Sequence, residues 1–254
     1  MIHYPLLDGY AERYVGLATM PLVVTLTLKQ GAQLAGYDNL LLDNLLGACL
    51  VNEATGWKGL PDSEEGYAIP LPLRCLWRDA EGFPLWAATP FTPDGEWFKD
   101  VWYRHKKSPT GRFTATKSGR FNISPTDGRF MERRVPVPTT VAERFVAFCD
   151  GNVDEIARLL GLLTAAGRDR ARGLGAIEHF DIDEAVGFFL ADGSALTRSI
   201  PAEAIRLLGN WTPQEPPSLI SWTPPQWKPG LWRPGWRAGV RIEPEEWMPE
   251  SESK

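Results

Sequence analysis

The amino-acid sequence predicts an α+β fold in which strands and helices follow one another as β-α-β-β-α-β, with a long basic arm between the two middle strands. Three observations support this prediction. A strand pattern leads into a leucine-rich helix, an amphipathic helix runs into an arginine–glycine loop and another strand, and the segment between them is strongly basic. With 254 residues and 43% hydrophobic content, the chain can bury a full core in one large domain or one domain with insertions.

The first strand and the first helix are predicted near the start of the sequence. The β-branched and leucine residues of 22–28 favour a strand. Apolar residues at helical spacing then predict a helix over about 39–51. Gly36-Tyr37-Asp38 would form a polar turn ahead of this helix, and turn or capping chemistry is the simplest role for its polar side chains.

A hairpin and two further strands are predicted in the middle of the chain. Strand patterns over 69–78 and 83–88 flank the turn 79–82, and their prolines favour the edge of a sheet. After the arm, strand patterns return over 130–138 and 143–149. The hairpin before the arm and the strand patterns after it supply the two middle strands of the predicted β-α-β-β-α-β order.

Residues 99–134 differ in charge from the rest of the chain. They contain ten basic and three acidic residues, a net charge of +7, whereas the whole chain carries −5 and the remainder therefore about −12. The overall charge argues against a general nucleic-acid binder, but the distribution of charge matters more than the sum. Interleaved aromatic residues offer faces on which unpaired bases stack. We expect a long mobile arm that binds a nucleic-acid backbone; the alternative is a disordered basic loop, or one that docks on an acidic partner.

The second helix and the loop after it carry the most specific pattern. Apolar residues of 156–163 lie on one helical face, and Asn152 with Glu155 predicts a capping-box start. The loop 165–175 contains three glycines and three arginines and precedes a strand pattern over 176–182. Glycine permits positive φ, and the arginine guanidinium suits phosphate, so the loop predicts a clamp for a polyanionic strand. The alternative is an ordinary glycine C-cap with solvated arginines.

The order of elements matches a ferredoxin-like (RRM-like) unit with an extended arm between its middle strands. The loop after the second helix does not fit dinucleotide or P-loop fingerprints. It resembles the glycine-rich loop of the RAMP (repeat-associated mysterious protein) superfamily of CRISPR proteins. The leucine-rich helix, the segment 102–107 and a Trp/Pro-rich end extend the resemblance over most of residues 20–235, towards the Cas-five-like capping subunits of type IV (Csf-type) effector complexes.

The resemblance implies a non-catalytic subunit that grips the 5′ handle of a guide RNA (crRNA) and caps a filament of backbone (Cas-seven-like) subunits. It also implies contact with the large subunit and nearness to the protospacer-adjacent motif of target DNA. The RNA-binding residues are expected to be Gly167, Arg168, Arg170, Arg172, Gly173 and Gly175 in the loop, and Trp102, Tyr103, Arg104, His105, Lys106, Lys107, Arg112, Lys117 and Arg120 in the arm. One departure is Asp169, whose charge would need ion pairing with Arg168 and Arg170.

Neither a metal site nor a cofactor is expected. The three histidines (His3, His105, His179) are not grouped as metal ligands, and the three widely spaced cysteines predict no disulfide framework and fit a reducing cytoplasm. His105, beside Tyr103 and two lysines, is the one catalytic candidate, because a histidine base can cleave RNA through its 2′-hydroxyl. A guide-processing endoribonuclease and a scaffold that binds no RNA are therefore the alternative functions.

The C-terminal part of the sequence is rich in tryptophan and proline. Strand patterns over 186–190 and 195–198 predict a hairpin, and 201–208 a short helix. From Trp211 the proline density predicts extended chain, without helix or central strand. Six tryptophans are costly to expose, so we expect the extension 209–254 to pack on the domain formed by 1–208, whose inserted arm spans 89–140; a partner subunit or bases are alternatives.

The sequence also predicts a cytoplasmic protein without membrane partners. No charged-then-apolar leader opens the sequence, and no apolar run approaches the length of a membrane span.

Overall fold

The computed structural model describes residues 3–35, 40–60, 66–106, 133–226 and 228–244, which form an α+β protein whose strands pair antiparallel. The predicted α+β class is thus confirmed. The α-helices are α1 (Asp8–Tyr14), α2 (Leu42–Ala54) and α3 (Val153–Leu160), and a 3-10 helix spans Ala202–Leu208. The strands are β1 (Met20–Leu28), β2 (Leu34–Ala35), β3 (Cys75–Arg78), β4 (Pro84–Trp86), β5 (Thr92–Lys106), β6 (Arg133–Gly151), β7 (Ile177–Glu184), β8 (Ile200–Pro201), β9 (Trp211–Pro213), β10 (Ser218–Ser221), β11 (Trp232–Trp236) and β12 (Ile242–Pro244).

The largest sheet is built on β1 and β6. β1 pairs antiparallel with β6 on one side and with β7 on the other. β5 pairs along the other edge of β6, so the strands lie in the order β5-β6-β1-β7. The short β2 pairs with Thr139 and Thr140 of β6 and continues the line of β1.

Helices α2 and α3 cover one face of this sheet. Every second residue of β1 from Leu22 to Leu26 is at most 1% exposed. These side chains share one core with Leu46 of α2 and Ile156 of α3. Because side chains alternate along a strand, Phe148 of β6 lies on the opposite face, where it is 44% exposed.

A second hydrophobic cluster joins the β3–β4 hairpin to the C-terminal part of the chain. There β11 lies between β10 and β8, and β9 pairs with β12. Phe83 and Leu85 of the hairpin region pack in one cluster with Trp222 and Trp236. Trp222 is only 1% exposed and Trp236 9%, whereas Trp232 of the same segment is 42% exposed.

A buried ion pair connects this C-terminal part to α2. The Arg198 guanidinium lies 3.3 Å from the Asp43 carboxylate, and both side chains are at most 3% exposed. Arg198 also donates to the carbonyl oxygens of Ala88 (3.1 Å) and Trp222 (2.8 Å). Burial raises the pKa of Asp43 and lowers that of Arg198, while their mutual attraction opposes both shifts. Buried charges are tolerated when they are paired and hydrogen-bonded in this way.

Periodic elements of the sequence are found where they were predicted. The strand expected over 22–28 is β1, and the helix expected over 39–51 is α2. Asn152 caps α3, since its side-chain oxygen accepts the N–H of Glu155 (3.1 Å). The reciprocal half of the capping box was wrong, because the N–H of Asn152 donates to Pro72 and the Glu155 carboxylate accepts from Arg13 and Arg158.

The base of the arm is more regular than predicted. Residues 99–106 form part of β5 and pair with β6 as far as Lys106↔Arg133. The two strands expected over 130–138 and 143–149 are one strand, β6. A two-stranded ribbon exposed on both faces leaves no periodic apolar pattern, which is why the sequence favoured irregular structure here. The arm residues 107–132 and the predicted turn 36–38 lie outside the described residues.

Three other predictions were wrong. The strand expected over 69–78 is limited to Cys75–Arg78, because prolines precede it. No strands flank the turn at Asp192. Its carboxylate accepts the N–H groups of Ser194 and Ala195. Ala191↔Leu196 is a single bridge across the turn, and Ala195 bridges to Arg241 instead. The proline-containing β11 is a middle strand, because β10 pairs with one side of it and β8 with the other. Proline is tolerated there because β8 reaches only the last two residues of β11, so Pro234 has a neighbouring strand on one side only.

Candidate nucleic-acid interface

The glycine-rich loop 165–175 is closed at its base by backbone contacts. The N–H of Ala166 donates to the carbonyl of Gly175, and the N–H of Gly175 donates to the carbonyl of Gln33, both at 2.8 Å. A Cβ added at Gly175 would lie 1.8 Å from the carbonyl oxygen of Ala166, and φ there is +67°. Only glycine fits this position. These contacts bring the two ends of the loop together.

The middle of the loop turns through left-handed backbone. Asp169 has φ 56° and ψ 26°, a 3-10 turn spans Arg170–Arg172, and Gly173 follows with φ 87°. Arg168 and Arg170 are exposed. Neither side chain makes a hydrogen bond or ion pair with another residue in the part of the chain that the structure describes. Their guanidinium donors are therefore directed to solvent, where a phosphate can reach them.

The arm and the loop meet at one ion pair. Nη1 of Arg104 in β5 lies 4.0 Å from Oδ1 of Asp169, with the side chains 39% and 20% exposed. Because side chains alternate along a strand, half-buried Trp102 shares the face of Arg104, whereas Tyr103 and His105 point to the other face. The structure thus joins one face of the arm to the loop and separates the other from it.

The opposite face of the arm carries an aromatic–cationic group. The Arg134 guanidinium lies over the Tyr103 ring, 5.0 Å from its centroid, and His105 is directly opposite Arg134 in the β5–β6 register. The Tyr103 ring is 52% exposed. A ring that already holds a cation on one side can stack an unpaired base beside it.

The loop also lies near α2. Burial raises the pKa of Cys49 to about 12, and the positive charge of Arg170 opposes that shift. Burial raises the pKa of Cys149 to about 12 as well. Both thiols therefore stay protonated at neutral pH, and all three cysteines are free. Cys49 and Cys149 are buried, whereas Cys75 is partly exposed.

The predicted site residues are thus divided among four situations. Arg104 and the loop are adjacent, and Tyr103 and His105 lie on the far face of the ribbon. Only the backbone is described for Lys106 and Arg172. The remaining arm residues of the prediction lie outside the described ranges: Lys107, Arg112, Lys117 and Arg120.

Sequence reasoning missed two contributors to the interface. Gln33 supports the loop through its carbonyl, and its side-chain oxygen accepts the hydroxyl of Thr139 (2.8 Å), which ties the loop to β6. Arg134 was counted as charge but not placed; its position opposite His105 follows only from the strand register. A local sequence pattern signals neither contact, because each depends on pairing between distant segments.

Among the described residues, no three His, Cys, Asp or Glu side chains are grouped to hold a metal ion, and no helix is long and apolar enough to cross a membrane. His179 lies on β7, 3.1 Å from Asp181, with both side chains about half exposed. No protein-family model matches the chain, and no curated protein matches it significantly. The resemblance to RAMP proteins therefore rests on the loop, the arm and the order of elements.

Proposed function

We propose that this protein is a non-catalytic, RAMP-type subunit that binds guide RNA in a type IV CRISPR effector complex. The observation that carries the proposal is the 4.0 Å approach of Arg104 to Asp169, which joins the base of the basic arm to the arginine–glycine loop. A ribose-phosphate chain crossing this junction would meet Arg168 and Arg170 on one side and the arm on the other. Two elements rich in positive charge thus meet at one ion pair, which a phosphate backbone would cross.

The arrangement of elements supports a ferredoxin-like core. β1, α2, β5, β6, α3 and β7 follow as β-α-β-β-α-β. The last of these strands lies beside the first, and the two middle strands pair with each other. In this interpretation the β3–β4 hairpin and the C-terminal strands are additions to the core, and the arm extends the two middle strands.

The loop supplies the phosphate contacts. Arg168 and Arg170 present exposed planar donors, which bind phosphate oxygens in a bidentate manner. The nearby carboxylate of Asp169 would repel phosphate, but the Arg104 guanidinium partly neutralises it. The sequence predicted that Asp169 pairs with the loop's own arginines, but its ion-pair partner Arg104 comes from the arm.

The arm supplies contacts to bases. Single-stranded RNA is recognised largely by stacking of splayed bases on aromatic or guanidinium planes. The exposed Tyr103 ring with Arg134 is such a surface. Any sequence preference would come from unpaired nucleotides of the 5′ handle. The resemblance to capping subunits implies that the backbone subunits, the large subunit and target DNA would be its neighbours.

A salt titration with matched variants tests the proposal. Arg168, Arg170 and Arg172 are changed together to alanine, and the control changes three exposed arginines of the C-terminal part to alanine, namely Arg206, Arg237 and Arg241. The probe is a labelled single-stranded RNA of the repeat sequence. Each phosphate contact of single-stranded RNA contributes about 0.7 to the slope of log K against log salt, so the loop variant should lose about 2 and the control almost nothing. Equal slopes for the two variants would contradict the proposal.

A further inference from the structure

A groove lies between α3 and β7 on the helix-covered face of the main sheet. Its volume is about 570 Å³. The walls are mainly apolar, with Val153, Ala157 and Leu160 from α3 and Ile177, Phe180 and Ile182 from β7. None of the described arginines lines it, so the groove is a surface separate from the arginine loop.

β7 also ends the sheet, and part of its outer edge is open. Among the described strands it pairs only with β1. The N–H of Ala185 donates to the carbonyl of Pro21 (2.9 Å). Because backbone groups alternate in direction along an antiparallel strand, Phe180 and Ile182 turn their N–H and C=O groups away from β1. The loop closes only the start of this edge, where the N–H of Ile177 donates to Thr164 (3.0 Å).

The same two residues thus provide open backbone groups and one wall of the groove. Phe180 and Ile182 pair with the buried residues Leu26 and Val24 of β1, so their half-buried side chains lie on the helix face. An added strand would form main-chain hydrogen bonds with this edge and direct every second side chain into the groove. This combination is the geometry of β-strand addition.

The charge of β7 and of the start of α3 indicates which kind of chain can bind at this edge. Glu178 and Lys29 line the groove itself, and Asp154 lies in the first turn of α3. Asp181 and Asp183 lie on the opposite face of β7, where they would meet the side chains of an added strand that do not enter the groove. A second copy pairing through its own β7 would set carboxylates against carboxylates, and the same charge repels RNA. We propose that the groove binds an extended segment of another protein in which apolar residues alternate with lysine or arginine. This interaction is independent of guide-RNA binding.

Two synthetic peptides and the full-length protein test this proposal. The first peptide alternates valine with lysine, and the second carries glutamate in place of each lysine. Ala157→Arg fills the groove from an exposed helical position with a good helix former. Leu219→Arg, at a residue 55% exposed in the C-terminal sheet, adds the same charge away from the groove.

Fluorescence anisotropy should show that the lysine peptide binds the wild-type protein. Ala157→Arg should lower the affinity about tenfold or more, because it blocks the strand pairing. Leu219→Arg should leave the affinity unchanged. The backbone N–H groups of Phe180 and Ile182 should exchange more slowly with the peptide bound. Equal binding of both peptides, unchanged affinity in Ala157→Arg or unprotected amides would overturn the proposal. Loss of RNA affinity in Ala157→Arg, with RNA displacing the peptide, would also overturn it and assign the groove to RNA.

Discussion

Arg104 of the arm and Asp169 of the glycine-rich loop approach each other to 4.0 Å across two elements that are far apart in the sequence. Both side chains remain in contact with water, at 39% and 20% exposure. A pair of this kind contributes at most about 1 kcal/mol to the free energy of unfolding. Its main consequence is therefore electrostatic: it fixes where the loop's one carboxylate lies and lowers the repulsion that an approaching phosphate experiences.

Asp169→Asn is expected to strengthen RNA binding. Asparagine tolerates the left-handed backbone at this position, where φ is 56°, so the loop should keep its shape. Removing one carboxylate near the phosphate path should lower the Kd a few-fold, on the order of 1 kcal/mol for charges about 4 Å apart in a water-like surrounding. Titration of the labelled repeat RNA at two salt concentrations measures the change, which should be smaller at high salt.

Asp169→Ala serves as the control for this substitution. It removes the same charge but places an ordinary side chain at positive φ, which costs about 1–2 kcal/mol. Weaker RNA binding by Asp169→Asn than by the wild-type protein would mean that the Arg104 pair is needed to hold the loop. That result would contradict the electrostatic role argued here.

Two glycines of the loop should respond differently to alanine. Both Gly173 and Gly175 have positive φ, at +87° and +67°, so each substitution costs about 1–2 kcal/mol in backbone strain. At Gly173 an added Cβ meets no described atom within 4 Å, whereas at Gly175 it would lie 1.8 Å from the Ala166 carbonyl oxygen. Overpacking adds about 1–3 kcal/mol at Gly175 alone. Urea unfolding of both variants measures the difference, and equal losses would show that the loop base is not closed as described.

The fold was predictable where burial leaves a periodic pattern. Alternate residues of β1 and helical spacing in α3 record which side meets the core, and the side-chain oxygen of Asn152 marks where α3 begins. β5 leaves no such record, because Trp97 and Phe98 are 49% and 59% exposed although they point to opposite faces. Its strand structure is imposed by pairing with β6, which is distant in the sequence.

The candidate site was predictable in its local part only. Gly167, Gly173 and Gly175 all have positive φ, as the glycine-rich pattern indicated. The contact of Arg104 with Asp169 joins single residues of distant segments, and no local pattern specifies such a contact. The division of the arm into two faces likewise follows from the strand register.

His105→Ala should leave RNA uncut and weaken its binding only slightly. His105 lies on the same ribbon face as Tyr103 and Arg134, so under the proposed function it adds one contact to the unpaired nucleotides and takes no proton from the RNA. Loss of one contact should cost about 0.5–1.5 kcal/mol in binding. Incubation of labelled repeat RNA with the wild-type and variant proteins in EDTA measures cleavage. Site-specific cleavage by the wild type that disappears in the variant would establish the endoribonuclease alternative.

The buried pair between Asp43 and Arg198 should dominate the coupling of the C-terminal part to α2. Asp43→Asn leaves the Arg198 guanidinium buried without its counter-charge, which should cost about 3–5 kcal/mol in the free energy of unfolding. Asp43→Leu combined with Arg198→Met removes both charges and should cost less than the single change. Some loss should remain, because the Ala88 and Trp222 carbonyls lose their donor, at about 1–3 kcal/mol for each unsatisfied buried group.

A surface pair provides the comparison for this experiment. Arg144 and Asp94 approach to 3.1 Å, but their side chains are 55% and 46% exposed. Asp94→Asn should therefore change the free energy of unfolding by at most about 1 kcal/mol. Urea titrations of the three variants, followed by tryptophan fluorescence because Arg198 donates to the carbonyl of the buried Trp222, measure all the differences. If Asp43→Asn lowers the free energy of unfolding no more than Asp94→Asn does, the buried pair does not couple the C-terminal cluster to α2. The apolar packing between the hairpin and the C-terminal strands must then hold that cluster alone.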